Sequence, residues 1–118
     1  MSRKILVVDD DKDFLNVAKM FLEGKGNTVS TAENGTEAVI TAKKENPDII
    51  LLDVIMPGKN GFEVCRELKK NKSTKNIKIV IVSGNIPEIE KGFDYGADDC
   101  VVKPLDWNKL DDKIMEMT

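Results

Sequence analysis

The chain has 118 residues, 41% of them hydrophobic and 33% charged, a balance typical of one folded domain. The net charge of -3 argues against a broad nucleic-acid-binding surface, and no apolar run approaches the roughly 20 residues that span a bilayer. Histidine is absent, which excludes Ser-His and Cys-His nucleophile pairs and His-based zinc sites. Any chemistry therefore depends on carboxylates, hydroxyls, lysines and a hard cation.

The first half of the chain alternates between predicted strands and helices. Apolar runs at 5–8, 29–32 and 49–53 predict strands, and the second is weak, as an edge strand would be. Apolar residues at helical spacing predict two helices between these strands. The first helix ends at Gly24, and the second begins at Asn34, a helix-capping residue type.

The second half continues the alternation. Apolar runs at 77–82 and 100–102 predict the fourth and fifth strands. A dense turn signal at 57–61 precedes the third helix, Pro87 lies near the first turn of the fourth, and Trp107 begins the apolar face of the fifth. Strands that are apolar on both faces require helices on both faces. The pattern thus predicts an α/β fold with a doubly wound, five-stranded parallel sheet.

The domain organisation follows from what the sequence lacks. No internal repeat, low-complexity stretch or linker interrupts residues 1–118, so we expect one domain and no output domain in this chain. Cys65 and Cys100 lack the spacing of paired cysteines, which is typical of reduced thiols in a cytoplasmic protein.

Polar residues end four of the five predicted strands. Asp9 and Asp10 follow the first strand, Asp53 ends the third, Ser83 follows the fourth and Lys103 follows the fifth. Each residue alone is compatible with helix capping, a turn or a solvated charge. Ligands of an open parallel sheet, however, bind beyond the carboxyl ends of the strands. The convergence of these residue types at one edge therefore favours a shared site.

Three carboxylates at one edge need a cation. Two of them about 4 Å apart repel by about 4 kcal/mol at an effective dielectric of about 20. Oxygen ligands select a hard cation, and a small open site favours Mg²⁺. Asp53 ends the strand that we expect to be central, so it is the predicted nucleophile for an aspartyl phosphate. Asp9 and Asp10 would hold the metal, while Lys103 and Ser83 would contact the phosphoryl oxygens.

Several short segments in fixed order extend this interpretation. They lie at 5–11, 48–57, 61, 81–84, 96–97 and 103–104. Together they resemble the receiver domains of two-component response regulators, over essentially the whole chain. The resemblance implies a flavodoxin-like strand order, 2-1-3-4-5. It also implies that Asp53 takes a phosphoryl group from the phosphohistidine of a histidine kinase or a histidine phosphotransfer protein. Such a domain catalyses only its own phosphorylation and dephosphorylation.

The resemblance also implies individual roles at the metal site. Asp10, Asp53 and the backbone carbonyl of Ile55 match the Mg²⁺ ligands of the family. Asp9 matches an acid that acts through water.

Further roles concern the phosphoryl group and the output. Ser83, Gly84 and Lys103 match the phosphoryl-binding and switch positions, and Lys103-Pro104 matches a cis peptide bond. In this family the face formed by the fourth helix, fifth strand and fifth helix commonly docks an output partner. We expect no direct contact with nucleic acid or membrane.

One position departs from the family pattern. Receiver domains usually carry Tyr or Phe where this chain has Cys100, and a thiol cannot fill an aromatic volume. We therefore expect switching to rely on backbone movement around 83–92.

Ile55 and Asn85 flank the expected path of a water that attacks the aspartyl phosphate. Because Ile55 cannot orient that water, we expect slow autodephosphorylation.

Three other interpretations remain to be weighed. A small Mg²⁺-dependent aspartyl-phosphate phosphohydrolase would share the nucleophile, but this chain has little material for a substrate cap. A dinucleotide-binding or flavodoxin-like binding module would need a glycine-rich loop after the first strand, where the acids at 9–11 repel phosphate. A receiver that acts without phosphorylation is not favoured, because the expected pocket residues are all present.

Overall fold

The computed structural model describes residues 3–56, 58–84 and 86–118, with the backbone alone at 86, 88, 89 and 92. The strands are Lys4–Val8 (β1), Thr28–Ala32 (β2), Ile49–Asp53 (β3), Lys78–Ser83 (β4) and Asp99–Val102 (β5). The helices are Lys12–Gly24 (α1), Gly35–Glu45 (α2), Gly61–Lys70 (α3), Ile86–Asp94 (α4) and Trp107–Met117 (α5). The predicted alternation is confirmed, and predicted strand ends differ from the observed ones by no more than one residue. Pro57 and Asn85 lie outside the described residues.

All neighbouring strands of the sheet are parallel. The order is β2-β1-β3-β4-β5, which confirms the predicted topology. At the centre, Leu51 of β3 is in register with Val7 of β1 and Val80 of β4. The carboxyl end of β3 therefore lies between the carboxyl ends of β1 and β4. This arrangement places Asp53 at the middle of the edge at which ligands bind in open parallel sheets.

Two hydrophobic layers sandwich the sheet. One face packs with α2 and α3, and the other packs with α1 and α5. Leu51 is 1% exposed and Ile50 is fully buried, so both faces of β3 are shielded from solvent. Truncation of such side chains to Ala typically costs about 2–5 kcal/mol. The central strand is thus a rigid support for the residues at its end. Within the described residues, no helix is long and apolar enough to cross a membrane.

Side-chain caps set the starts of four helices. Each capping side chain accepts at least one hydrogen bond from a backbone N–H group in the first turn of the following helix. The four caps are Asp11, Asn34, Asn60 and Asp106. A cap of this kind contributes about 1 kcal/mol and fixes the direction in which the chain enters the helix. Three of these caps follow β1, β2 and β5 closely, and Asn60 ends the loop after β3. The helices that follow β1, β2, β3 and β5 consequently begin at capped positions near the carboxyl edge of the sheet.

Candidate functional site

The acids that follow β1 and end β3 lie together. One carboxylate oxygen from each of Asp9, Asp10 and Asp53 lies within 4.8 Å of the others. Asp9 is 1% exposed, Asp53 is partly buried and Asp10 is exposed. β1 and β3 are adjacent parallel strands, so their carboxyl ends meet at one edge of the sheet. The cluster is therefore closed on the Asp9 side and open to solvent on the Asp10 side.

Backbone hydrogen bonds separate the roles of the three consecutive acids at 9–11. Asp11 Oδ1 accepts hydrogen bonds from the backbone N–H groups of Asp13 and Phe14, at 2.9 and 3.3 Å, and thereby caps α1. Asp9 Oδ1 instead accepts from the backbone N–H of Asp11 at 3.0 Å. Helix capping thus accounts for Asp11. It does not account for Asp9 or Asp10, which belong to the acidic cluster.

Lys103 supplies the positive charge of the site. Its Nζ donates to Asp9 Oδ2 at 2.8 Å and lies 3.9 Å from Asp53 Oδ1. Burial alone would lower the pKa of Lys103, but the hydrogen bond to Asp9 and the charge of Asp53 outweigh it and raise that pKa. The backbone N–H of Lys103 donates to the carbonyl of Ser83 at 2.9 Å, which ties the ends of β5 and β4 together. The Lys103-Pro104 peptide bond is cis.

The charged form of Asp53 is disfavoured in the absence of a metal. Burial and then the charge of Asp9 raise its pKa from 3.8 to about 6, although Lys103 and the N–H of Val54 act in the opposite direction. One lysine therefore does not neutralise the cluster. The donor set consists of carboxylate oxygens, which are the ligands that hard divalent cations prefer. The residues present fit Mg²⁺ on both the charge and the donor chemistry.

The start of α3 lies directly against the backbone of Asp53. A Cβ atom on Gly61 would lie 2.2 Å from the carbonyl oxygen of Asp53 and 2.8 Å from Cα of Val54. The N–H of Gly61 donates to the carbonyl of Val54 at 2.8 Å. Only glycine permits this approach, so Gly61 holds the loop that follows the central acid.

The remaining predicted site residues occupy the same edge or its border. Asp53 is in register with Val82, so Ser83, which is 4% exposed, lies one residue further along the adjacent strand. Gly84 and Ile55 are exposed, the latter by 68%. Cys100 lies apart from this edge: it is partly buried and packs against the core beneath α2 and α3.

One neighbour of the site is absent from the sequence-based prediction. The ring of Phe14 lies beneath Lys103, with 4.5 Å between Nζ and the ring centroid. Phe14 falls at helical apolar spacing, so the sequence pattern indicates a core position for it. Its contact with Lys103 depends on how α1 packs beside the end of β5, which the pattern does not contain.

Comparison with known proteins agrees with the fold and identifies a family. A family model described as the response regulator receiver domain matches residues 5–115. Chemotaxis protein CheY4 of Vibrio cholerae superposes with a TM-score of 0.92 at 28% identity, covering 100% of both chains. A two-component response regulator from Clostridium difficile gives a TM-score of 0.90 at 30% identity, covering 98% of this chain and 95% of that one. The signal receiver domain of a signal transduction histidine kinase from Syntrophus aciditrophicus gives 0.90 at 28%, covering 98% and 89%.

Proposed function

The chain belongs to the response regulator receiver domain family, and from this premise we propose that it is a Mg²⁺-dependent phosphoacceptor switch. Asp53 takes a phosphoryl group from a phosphohistidine of a histidine kinase or a histidine phosphotransfer protein. The phosphorylated form then changes the affinity of the domain for an output partner. The family is a signalling family, and in this proposal the chain catalyses only its own phosphorylation and dephosphorylation.

The observation that carries the proposal is the position of Asp53 beside an acidic pair and near an ammonium. Its carboxylate shares the cluster with Asp9 and Asp10, and Lys103 Nζ lies 3.9 Å away. Phosphoryl transfer depends on in-line positioning and on neutralisation of charge more than on further covalent chemistry. A nucleophilic carboxylate beside a cation site and a lysine meets both requirements.

Receiver domains bind Mg²⁺ at an acidic pocket, and we assign the ligands of this chain to Asp10, Asp53 and the backbone carbonyl of Ile55. Asp9 contributes through water. The ion would neutralise charge on the phosphoryl oxygens. It would also favour the charged form of Asp53, whose pKa is raised by burial and then by the charge of Asp9.

The protein groups have separate tasks in the transfer. A carboxylate oxygen of Asp53 forms a bond to phosphorus while the bond from phosphorus to the imidazole nitrogen of the donor breaks. The electron pair of the broken bond stays on the imidazole. The Lys103 ammonium moves toward a phosphoryl oxygen, and the Ser83 hydroxyl donates a hydrogen bond to another.

We assign the output surface to the face formed by α4, β5 and α5. Its described residues include exposed apolar side chains: Phe93 of α4 is 49% exposed and Val102 of β5 is 48% exposed. A pocket of ≈ 320 Å³ beside Cys100 and Val102 extends toward Lys109 of α5. Exposed apolar residues next to a concave surface suit protein docking.

Intact-protein mass spectrometry after incubation with acetyl phosphate tests the proposed function. We expect the wild type to gain one phosphoryl group with Mg²⁺ and none with EDTA. Asp53→Asn should gain none, whereas Asp112→Asn, which removes an exposed acid of α5, should behave as wild type. Labelling of Asp53→Asn to the wild-type extent would overturn the assignment. Repeated turnover of a small phosphomonoester would instead favour the aspartyl-phosphate phosphohydrolase.

A further inference from the structure

The Lys103 ammonium has three partners of two kinds, two carboxylates and one aromatic ring. It donates to Asp9 at 2.8 Å, lies 3.9 Å from Asp53 and lies 4.5 Å from the centre of the Phe14 ring. Two of these partners are carboxylates of the acidic cluster. A divalent cation bound by the cluster would attract the same carboxylates and weaken their hold on the lysine. The aromatic ring is a partner for which a hydrated Mg²⁺ does not compete.

The space around Lys103 makes this third partner important. A pocket of ≈ 470 Å³ lies beside the lysine, lined by Phe14, Lys103, Pro104, Leu105 and Trp107. The Lys103 side chain is 30% exposed, and its four-carbon stem has room to swing out of the site into that pocket. Phe14 lines this pocket and also lies beneath the Lys103 ammonium.

Phe14 is itself held in place. Its ring lies 5.7 Å from the ring of Trp107, with 33° between the planes, so α1 and α5 both support it. A tilted aromatic pair of this kind adds stability beyond the burial of apolar area. The platform beneath the lysine is therefore a side chain packed between α1 and α5.

We propose that Phe14 is a positioning residue for phosphorylation, which holds the Lys103 ammonium at the rim of the acidic cluster by a cation–π contact. This inference rests on the proposed function, because it concerns the lysine that meets the phosphoryl group. The aromatic face keeps Lys103 near Asp53 when the carboxylates interact with the metal instead of the lysine. It contributes to the transition state by reducing the freedom of that lysine.

The matched control is Phe21, another aromatic residue of α1. Its ring also packs on Trp107, at 5.5 Å and 42°, and it also lies beneath a lysine, with Lys25 Nζ at 5.6 Å. Lys25, however, follows the end of α1 and is not part of the acidic cluster. Phe21→Leu thus disturbs the same aromatic group without removing the contact to Lys103.

The rate of phosphorylation by acetyl phosphate with Mg²⁺ provides the first test, because this donor does not require a docked protein. We expect Phe14→Leu to slow phosphorylation by about threefold to tenfold. Phe14→Tyr keeps an aromatic face and should remain within about twofold of wild type, as should Phe21→Leu. Equal slowing in Phe14→Leu and Phe21→Leu would overturn the inference, as would an unchanged rate in Phe14→Leu. If the wild type is not labelled at Asp53, the proposed function fails as well.

Proton NMR of Lys103 provides a second readout that does not depend on activity. The ring current of Phe14 should displace the ε-methylene protons of Lys103 upfield in the wild type, both with EDTA and with Mg²⁺. Phe14→Leu should lose this displacement, and Phe21→Leu should keep it. If the wild type loses this displacement when Mg²⁺ is added, the contact between Lys103 and Phe14 does not persist in the metal-bound protein, and the inference is contradicted.

Discussion

Lys103 is bound more closely to Asp9 than to Asp53. Its Nζ lies 2.8 Å from Asp9 Oδ2 but 3.9 Å from Asp53 Oδ1. The ammonium is therefore paired mainly with the buried acid. Burial and then the charge of Asp9 raise the pKa of Asp53 to about 6, although Lys103 acts in the opposite direction. In the proposed function, this distribution leaves the central carboxylate available for a metal ion and then for a phosphoryl group.

Replacement of Lys103 by Met should have opposite effects on metal binding and on phosphorylation. Without the competing ammonium, we expect Mg²⁺ to bind about fivefold more tightly, measured by isothermal titration calorimetry. Phosphorylation by acetyl phosphate should become slower by about tenfold or more, because a group that stabilises phosphoryl charge is lost.

Lys113→Met is the control for this pair of effects. Lys113 makes an ion pair of the same length, 2.8 Å, with Asp99, and its side chain is 32% exposed. It should change neither quantity. Weaker Mg²⁺ binding in Lys103→Met would show that the lysine organises the carboxylates and does not compete with the metal.

The charge of Asp53 should destabilise the metal-free protein at neutral pH. In the folded protein its pKa is about 6, whereas the ordinary value is 3.8. The folded state therefore binds this proton more tightly, and the resulting stabilisation is full below pH 4 and is lost as the pH rises through 6. At pH 7.5 with EDTA, Asp53→Asn should raise the free energy of unfolding by about 1–3 kcal/mol.

Urea denaturation at several pH values measures this effect. The advantage of Asp53→Asn should disappear near pH 4, where the wild-type carboxyl is already neutral in the folded protein. Asp112→Asn should stay within about 0.5 kcal/mol of wild type throughout. A variant Asp53→Asn that is less stable than wild type at pH 7.5 would contradict the strain assigned to this carboxylate.

Gly61→Ala should damage the site through the backbone. The added methyl group would meet the carbonyl oxygen of Asp53 at 2.2 Å, so α3 or the end of β3 must shift. We expect a loss of about 2–4 kcal/mol in stability, together with slower phosphorylation. Gly24→Ala, at the last residue of α1, meets nothing within 4 Å and should be neutral or stabilising. Equal stability of the two variants would argue against the close approach.

Ile55→Asn should speed the loss of the phosphoryl group. Ile55 is 68% exposed beside Asp53 and has no polar atom in its side chain to orient an attacking water. An amide at this position could do so, and the decay of acetyl phosphate-labelled protein should become several-fold faster. Ile40→Asn, at a site on α2 that is 62% exposed, controls for the polarity of the substitution. An unchanged decay rate for Ile55→Asn would remove the basis for slow autodephosphorylation.

The sequence predicts the strands that support this site and the acids at their ends, because both are indicated by short local patterns. Each strand is an apolar run followed by polar residues, so the positions of Asp9 and Asp53 at strand ends follow from the pattern alone. The parallel topology then brings those ends to one edge. Within the run at 9–11, however, the pattern does not distinguish a helix cap from a member of the cluster. The structure separates them, because Asp11 faces the N–H groups of α1.

The tertiary contacts of the site are not predictable in the same way. Gly61 lies against Asp53 because α3 begins beside the end of β3, and a glycine in a turn signal does not reveal which atoms approach it. Phe14 is apolar at helical spacing, yet its ring serves as a platform for Lys103, which follows β5. Lys103 is itself 94 residues away in sequence from Asp9, its ion-pair partner. Such contacts arise from how helices pack on the sheet.

A structure of the protein with Mg²⁺ and beryllofluoride would show whether Asp53 is the phosphoacceptor. We expect a beryllofluoride group bonded to the carboxylate of Asp53, with Mg²⁺ beside it on Asp10, Asp53 and the carbonyl of Ile55. In that structure Lys103 should contact a fluorine atom while its stem remains on the ring of Phe14. Saturating amounts of both reagents with nothing bound at Asp53 would contradict the account.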